Sequence, residues 1–322
     1  MKSEYLISVL IPCHSLQFLP KSIHSISQQT FPKQHFEVLV VADRIDLVET
    51  DKILKKSGLN YRVIESKEPG IVPALNFGLE NITSEFVARM DEDDLMKPHR
   101  LELQYRHMLK NERTSVVGGQ LELIDVDDKV IGISDYKSRI EKISFQEFES
   151  SPIAHPAAMF RWKAVTEIGG YRDFLPEDWD LWIRLIEYGT IENLSETVLS
   201  YRVHPNQLSR EEMYSQNLGR EFVSTSHFAR ISGMRDAPHR REDKSGWLEE
   251  TQTELRRISI TFRQFEKKSE KNKRVIKALQ SGVRLQRPQK VVSTLLKYPV
   301  VTSAYLFAKI RKKMKLLLNK AK

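Results

Sequence analysis

The sequence predicts an α/β fold with a mostly parallel central sheet, followed by a helical extension at its C-terminal end. Three observations point there. Short β-rich runs alternate with helical patterns through the first 110 residues, and acidic residues crowd the ends of two of those strands. Beyond residue 208 the character changes to long polar helical patterns that finish wholly basic. In a sheet wound this way ligands bind beyond the carboxyl ends of the strands, so the residues just after each strand carry the chemistry.

Taken in order, the apolar run 5–12 follows Glu4, is too short to cross a bilayer and lacks a signal-peptide cleavage pattern, so its stretch 6–11 reads as the first strand. Further β-rich runs lie at 36–41, 61–64 and 86–90, and helical patterns at 19–29, 47–57 and 72–79. Residues 98–110 read as another helix, 116–126 and 129–133 as strands joined around Asp127-Asp128, and 157–162 as one more strand. An amphipathic helix is predicted over 176–188, with Leu181, Leu185 and Tyr188 on one face and Gly189 as its stop. This gives one domain over 1–208 and a helical, basic extension over 209–322.

Composition agrees with a folded enzyme: 40% hydrophobic and 29% charged residues exclude wholesale disorder and a polytopic membrane protein. The single Cys13 cannot form an intramolecular disulfide, and no Cys/His cluster has zinc-site spacing, which suits a reducing cytoplasm. The net charge of +8 is uneven. After Glu270 there are 15 Lys and Arg and no acid, so the 51 basic residues leave 36 against 43 acidic ones in 1–270, a net −7. A basic block of this kind fits an anionic surface rather than a small substrate in the main domain.

Four segments are candidates for chemistry. At 86–101 an apolar strand ends in Asp91-Glu92-Asp93-Asp94, whose crowded charges a divalent cation such as Mn²⁺ or Mg²⁺ would relieve; the alternative is an acidic turn before a helix. Asp43 and Asp46 follow the strand 36–41, where a carboxylate can accept from a nucleobase N–H or a ribose hydroxyl, Arg44 can counter a diphosphate, and an Asx turn competes. Residues 70–78, with Gly70, Ala74, Asn76 and Gly78, suggest a tight turn entering a helix, while dinucleotide-binding and P-loop glycine patterns are missing. Glu177-Asp178-Trp179-Asp180 opens a helix, where a rigidly held carboxylate can act as general base or simply cap the helix.

Together these segments resemble the family-2 glycosyltransferases of the GT-A fold, particularly bacterial enzymes that build surface polysaccharides. The likeness runs from about Ser8 to Ser209. It is carried by the opening strand to Pro12, Asp43, Gly70 with Ala74-Leu75-Asn76 and Gly78, the stretch from Ala88 to Asp94 with Pro98 and Arg100-Leu101, and His155-Pro156. Gly169-Gly170-Tyr171, Glu177-Asp178, Leu181-Trp182, Arg184-Leu185 and Tyr201-Arg202 with His204 complete it. The resemblance implies inverting transfer from a nucleotide-sugar, of UDP type, to a hydroxyl on a glycan or lipid-linked acceptor. It implies Asp178 as catalytic base; Asp43, Asp91, Pro12 and Asn76 at the donor; Asp93 with Asp91 on the metal; and His155, Glu177, Trp179 and His204 at the acceptor or metal site. Ala42 and Arg44-Ile45 depart from the family's usual Asp and Gly-Ser beside Asp43, and Leu75 stands where an Arg is frequent, which implies altered donor contacts.

Near the C-terminus Val300, Ala304, Phe307, Ile310, Met314 and Leu317 recur at helical spacing, with Lys309, Lys312 and Lys313 mostly opposite. Such a helix cannot span a bilayer but can lie on the anionic inner face of the cell membrane, or dock on its own domain or a dimer partner. Two other classes compete with this reading. A nucleotidyltransferase making nucleotide sugars should carry a Gly- and basic-rich loop after the first strand, where Cys13-His14-Ser15-Leu16 stands. A nucleic-acid-binding protein using the tail would need a recognition motif that the sequence lacks, and nucleic acid is not an expected partner.

Overall fold

The computed structural model describes residues 4–140, 151–173 and 176–204, together with Val223, Ser226, His227 and Arg230. The chain divides into two compact units, Met1–Gln216 and Asn217–Lys322, and the whole sheet lies in the first. The boundary expected near 208 and the basic amphipathic helix fall outside the described residues.

The first half alternates as the sequence predicts: β1 (Ile7–Cys13), α1 (Leu19–Ser27), β2 (Phe36–Ala42), α2 (Leu47–Lys55), β3 (Tyr61–Glu65), α3 (Ile71–Glu80) and β4 (Phe86–Arg89). The second half adds β5 (Leu95–Met96), α4 (Arg100–Lys110), β6 (Thr114–Ile124), β7 (Val130–Ile133), β8 (Arg139–Ile140), β9 (Met159–Arg161), α5 (Trp162–Glu167), α6 (Glu177–Leu185) and β10 (Thr190–Arg202). All strands join one sheet in the order β3-β2-β1-β4-β9-β6-β10-β5, with β7 beside β6 and β8 beside β10. Neighbours among β1 to β4 are parallel, as are β6 and β10, while β9 runs antiparallel to both β4 and β6. The sheet is thus mixed, with six strands running one way and β9 inserted against them.

Every residue of β1 and β2 is buried, which is why both read as unbroken apolar runs rather than alternating ones. Pro12 is tolerated near the end of β1 because β4 pairs only with Ile7 to Leu10. Helix α2 starts at Asp46, whose Oδ1 accepts from Val48 N at 2.8 Å and Glu49 N at 3.0 Å, so this carboxylate is a helix cap. Helix α3 starts at Gly70, whose φ of 113° is open only to glycine.

Buried polar side chains bolt the second half together. Arg100, fully buried at the start of α4, donates to Arg89 O at 2.7 Å and Pro156 O at 2.8 Å, and Gln104 donates to Ala157 O at 2.7 Å. Desolvation, and to a lesser degree Arg89, lowers the Arg100 pKa to about 9 despite the raising influence of Asp94. Two sequence expectations change here. Helix α6 ends at Leu185, and Tyr188 is 61% exposed rather than part of the apolar face, because the chain has already turned toward β10. The long strand β10, with β5, β8 and α5, was not predicted at all.

Candidate active site

Strand β4 ends where the acidic run begins, so its carboxylates emerge at the carboxyl edge of the sheet, close to the ends of β1 and β10. Oxygens of Asp91, Asp93 and Asp94 lie within 4.8 Å of one another. Each is held differently. Asp91 pairs with Arg89 Nη2 at 2.6 Å, and Asp93 Oδ2 meets His204 Nε2 at 2.8 Å. Asp94 is fully buried and accepts from Arg202 N at 2.8 Å through Oδ1, while its Oδ2 has no partner among the described residues. Burial, then the charges of Asp91 and Glu92, push the Asp93 pKa up to about 6, and burial with Asp93 and Asp91 raises that of Asp94. Converging, mutually repelling carboxylates with one oxygen unanswered form a donor set that a hard divalent cation fits.

Arg202 closes this edge from β10. Its Nε donates to Asp93 O at 2.7 Å, its Nη1 pairs with Asp128 Oδ1 at 2.6 Å, and its guanidinium covers the Phe18 ring at 4.5 Å. His14, just past β1, places Nδ1 2.7 Å from Glu92 Oε1, and that hydrogen bond raises its pKa to about 8. Beyond β2, Asp43 Oδ2 accepts from Gly70 N at 2.8 Å and Oδ1 from Arg44 Nε at 3.0 Å. Asp43 therefore joins the strand end to the start of α3, with Arg44 as an exposed cation at its side. Pro12 is buried in β1 one residue before the strand's end.

The second carboxylate group is built on α6. Asp178 Oδ1 accepts from Trp179 N at 2.7 Å, and Ser151 Oγ, which donates to Ile153 O at 2.8 Å, lies 3.5 Å from Oδ2. Burial, then the neighbouring Glu177, raise the Asp178 pKa to about 6. Beside it, His155 places Nδ1 3.3 Å from Glu177 Oε1 and Nε2 2.9 Å from Tyr171 Oη. Burial, with help from Arg89, drives the His155 pKa down to about 3, so its ring is neutral. Arg89 belongs to both groups: it pairs with Asp91, and its positive charge also acts on Asp178. Fully buried, it is disfavoured as a cation by desolvation, yet Asp91 keeps it protonated.

The residues predicted from sequence thus gather at one edge, and two of them are also tied into the structure. Asn76, expected at the donor, clamps Tyr171: its Nδ2 donates to Tyr171 O and its Oδ1 accepts from Tyr171 N, both at 2.9 Å, so it also has a structural task. Trp179, expected at the acceptor or metal site, is 2% exposed and packs into the core beside fully buried Trp182. Arg89, Tyr171, Arg202 and His14 belong to the site and were not singled out for a role. A guanidinium in an apolar strand (Phe86-Val87-Ala88-Arg89) is the signal that could have marked Arg89, since an arginine there must be paired.

Comparison with known proteins places the chain. Residues 8–169 match Glycosyl transferase family 2. The O-antigen biosynthesis glycosyltransferase WbnJ of Escherichia coli is 35% identical over 207 residues, covering 62% of this chain and 80% of WbnJ. A UDP-Gal:alpha-D-GlcNAc-diphosphoundecaprenol beta-1,3-galactosyltransferase of Escherichia coli is 28% identical, covering 58% of this chain and 68% of that enzyme. Among solved structures, S. aureus TarS 1-349 in complex with UDP-GlcNAc has a TM-score of 0.59 at 17% identity, over 96% of this chain and 91% of that one. The mannosyltransferase PcManGT from Pyrobaculum calidifontis, in complex with GDP-Man and Mn²⁺, has a TM-score of 0.51 at 16% identity, over 96% and 87%. These two share the fold, which is that of the GT-A glycosyltransferases.

Proposed function

The chain belongs to glycosyl transferase family 2, and from that premise we propose that it transfers a sugar, with inversion, from a UDP-sugar donor to a hydroxyl of a glycan or lipid-linked acceptor in surface-polysaccharide synthesis. One observation carries the reading: three carboxylates converge at the end of β4 while a fourth, Asp178, sits at the start of α6 with its pKa raised to about 6, and Arg89 acts on both groups. The two Escherichia coli relatives support the polysaccharide setting, one named for O-antigen biosynthesis and the other for a diphosphoundecaprenol acceptor.

On this reading Asp43 and Asp91 receive the nucleoside, with Arg44 beside the diphosphate. Asp93 and Asp91 would hold Mn²⁺ or Mg²⁺, with His204 orienting Asp93. The cation would offset the negative charge that grows on the departing diphosphate. Asp178 accepts the proton of the acceptor hydroxyl as that oxygen bonds to the anomeric carbon; the bond from that carbon to the diphosphate oxygen breaks on the opposite face, which inverts the configuration. Glu177 and neutral His155 fix the start of α6, so that the base is positioned before substrate arrives.

No helix among the described residues is long and apolar enough to cross a membrane. We place the enzyme in the cytoplasm, held against the inner membrane face by the basic segment after Glu270. The test of function is a panel of nucleotide sugars assayed for binding and hydrolysis with and without EDTA, with the anomeric configuration of any transfer product read by NMR. A single UDP-sugar, bound only with metal and transferred with inversion, is expected. Retention of configuration would reject the single-displacement mechanism, and metal-independent binding would reject the assignment of Asp93.

A further inference from the structure

Two loops are tied to each other by Asn193, one of them reaching Asp178, and both are held by carboxamides from the sheet. The first, residues 134–138, follows β7. Gln120 on β6 grips Tyr136 through both backbone groups: its Oε1 accepts from Tyr136 N at 2.8 Å and its Nε2 donates to Tyr136 O at 3.0 Å. Ser134 Oγ donates to the same Oε1 at 3.1 Å. The second loop, residues 151–154, leads to His155, and its Ser151 is the residue that reaches Asp178. Buried Asn193 on β10 ties the loops together, since its Nδ2 donates to Lys137 O at 2.9 Å and to Pro152 O at 3.0 Å, and its backbone N donates to Ser138 O at 2.8 Å. Gly118 leaves room for this staple: a Cβ there would stand 2.5 Å from Asn193 Oδ1.

Tyr136 is thus fixed in register with the loop that touches the base. Its ring packs on the core yet is not fully buried, and its hydroxyl has no hydrogen-bond partner among the described residues. Burial, then the negative charge of Asp178, raise the pKa of its phenol. A half-buried phenol on a loop tied through Asn193 to the loop beside Asp178 suits a pyranose: its ring can cover the apolar C–H face and its hydroxyl can bond a sugar hydroxyl. We propose that Tyr136 contacts the acceptor sugar, with Gln120 and Asn193 as the residues that position it. The proposal rests on Asp178 being the base that faces the acceptor.

The experiment is saturation-transfer NMR on the full chain with UDP and Mg²⁺ present, using the methyl glycosides of glucose, galactose and N-acetylglucosamine as probes. Wild type should saturate at least one glycoside, and Tyr136→Ala should weaken its binding about tenfold or more while UDP binding, the check on folding, is kept. Tyr136→Phe should retain the ring contact and lose about two- to tenfold, as removal of one neutral hydrogen bond does. Gln120→Ala should weaken glycoside binding without touching UDP affinity. Failure of wild type to bind any glycoside, or equal binding by wild type and Tyr136→Ala, overturns the proposal. Asp178→Asn separates the two readings: if it still transfers sugar, the base assignment and this inference fall together. If it is inactive and Tyr136→Ala binds normally, only this inference fails.

Discussion

Burial acts alike on Asp178 and His155 and leaves them with different charges at neutral pH. Desolvation disfavours whichever form is ionised, so it raises the carboxylic acid to about 6 and lowers the imidazole to about 3. At pH 7 the first is a carboxylate able to take a proton and the second is neutral and inert to protons. Asp178→Asn should therefore keep donor affinity and lose transfer by a factor on the order of 10²–10⁴, as measured by single-turnover kinetics with a defined acceptor. The pH profile follows from the same shift: the base works ionised, so kcat/KM should fall as pH drops through about 6, a higher limb than an exposed aspartate gives. A limb at 4 would place the base elsewhere. Asp93→Ala should abolish the metal dependence of UDP-sugar binding seen by calorimetry, because Asp93 is central to the converging oxygens. These residues could be read from sequence because acids just after a strand are unusual and cheap to notice. Arg89 shows only as a guanidinium in an apolar strand, and the role of Tyr171 not at all, since its importance comes from being buried beside His155, which only the fold reveals.

At the scale of elements, the strands legible in the sequence differ from the long strand β10 in what they bury. Strands β1, β2 and β4 bury almost only apolar side chains, so their sequences announce them. Strand β10 buries Glu192, Asn193, Ser200 and Arg202 and breaks register between Asn193 and Thr197, so its sequence reads as a loop. Its polar groups are satisfied from outside the strand: Glu192 by His107 and Thr114, Ser200 by Glu122, Arg202 by Asp93 O. The turn into β10 supplies a stability test. A Cβ at Gly189 would collide with Arg113 O and Ser115 Oγ, and a backbone carbonyl cannot rotate away as a side chain can. Gly189→Ala should cost about 1–3 kcal/mol, seen as a lower midpoint of thermal unfolding. Asn76→Ala should behave similarly for another reason. It leaves the backbone N–H and C=O of buried Tyr171 unanswered, at about 1–3 kcal/mol each, and should lower stability while donor affinity is unchanged. Weaker donor binding without loss of stability would restore Asn76 to the nucleotide site.

For the whole molecule the governing fact is the separation of charge, since residues 1–270 are net acidic and the last 52 hold 15 Lys and Arg with no acid. Nothing in a small anionic donor requires this, because the converging carboxylates proposed to hold a cation and Arg44 already lie in residues 1–270. A surface of fixed negative charge does account for it. Each Lys or Arg near an anionic leaflet contributes about 1 kcal/mol, so several together exceed the entropy lost on surface binding, and the apolar residues Phe307, Ile310 and Met314 at helical spacing would add insertion. The tail lies outside the described residues, so the argument is one of sequence and charge alone. Full-length protein should float with anionic liposomes at low salt and be released at high salt. A chain ending before Pro299 should float less, and neutral liposomes should hold neither. Residual binding in high salt would measure the apolar contribution, because screening removes the Coulombic part first. If full-length protein stays at the bottom of the gradient with anionic liposomes at low salt, the membrane reading fails. The apolar stripe then has to be covered by protein, either its own domain or a second copy, and sedimentation of full-length and shortened chains would tell those two apart.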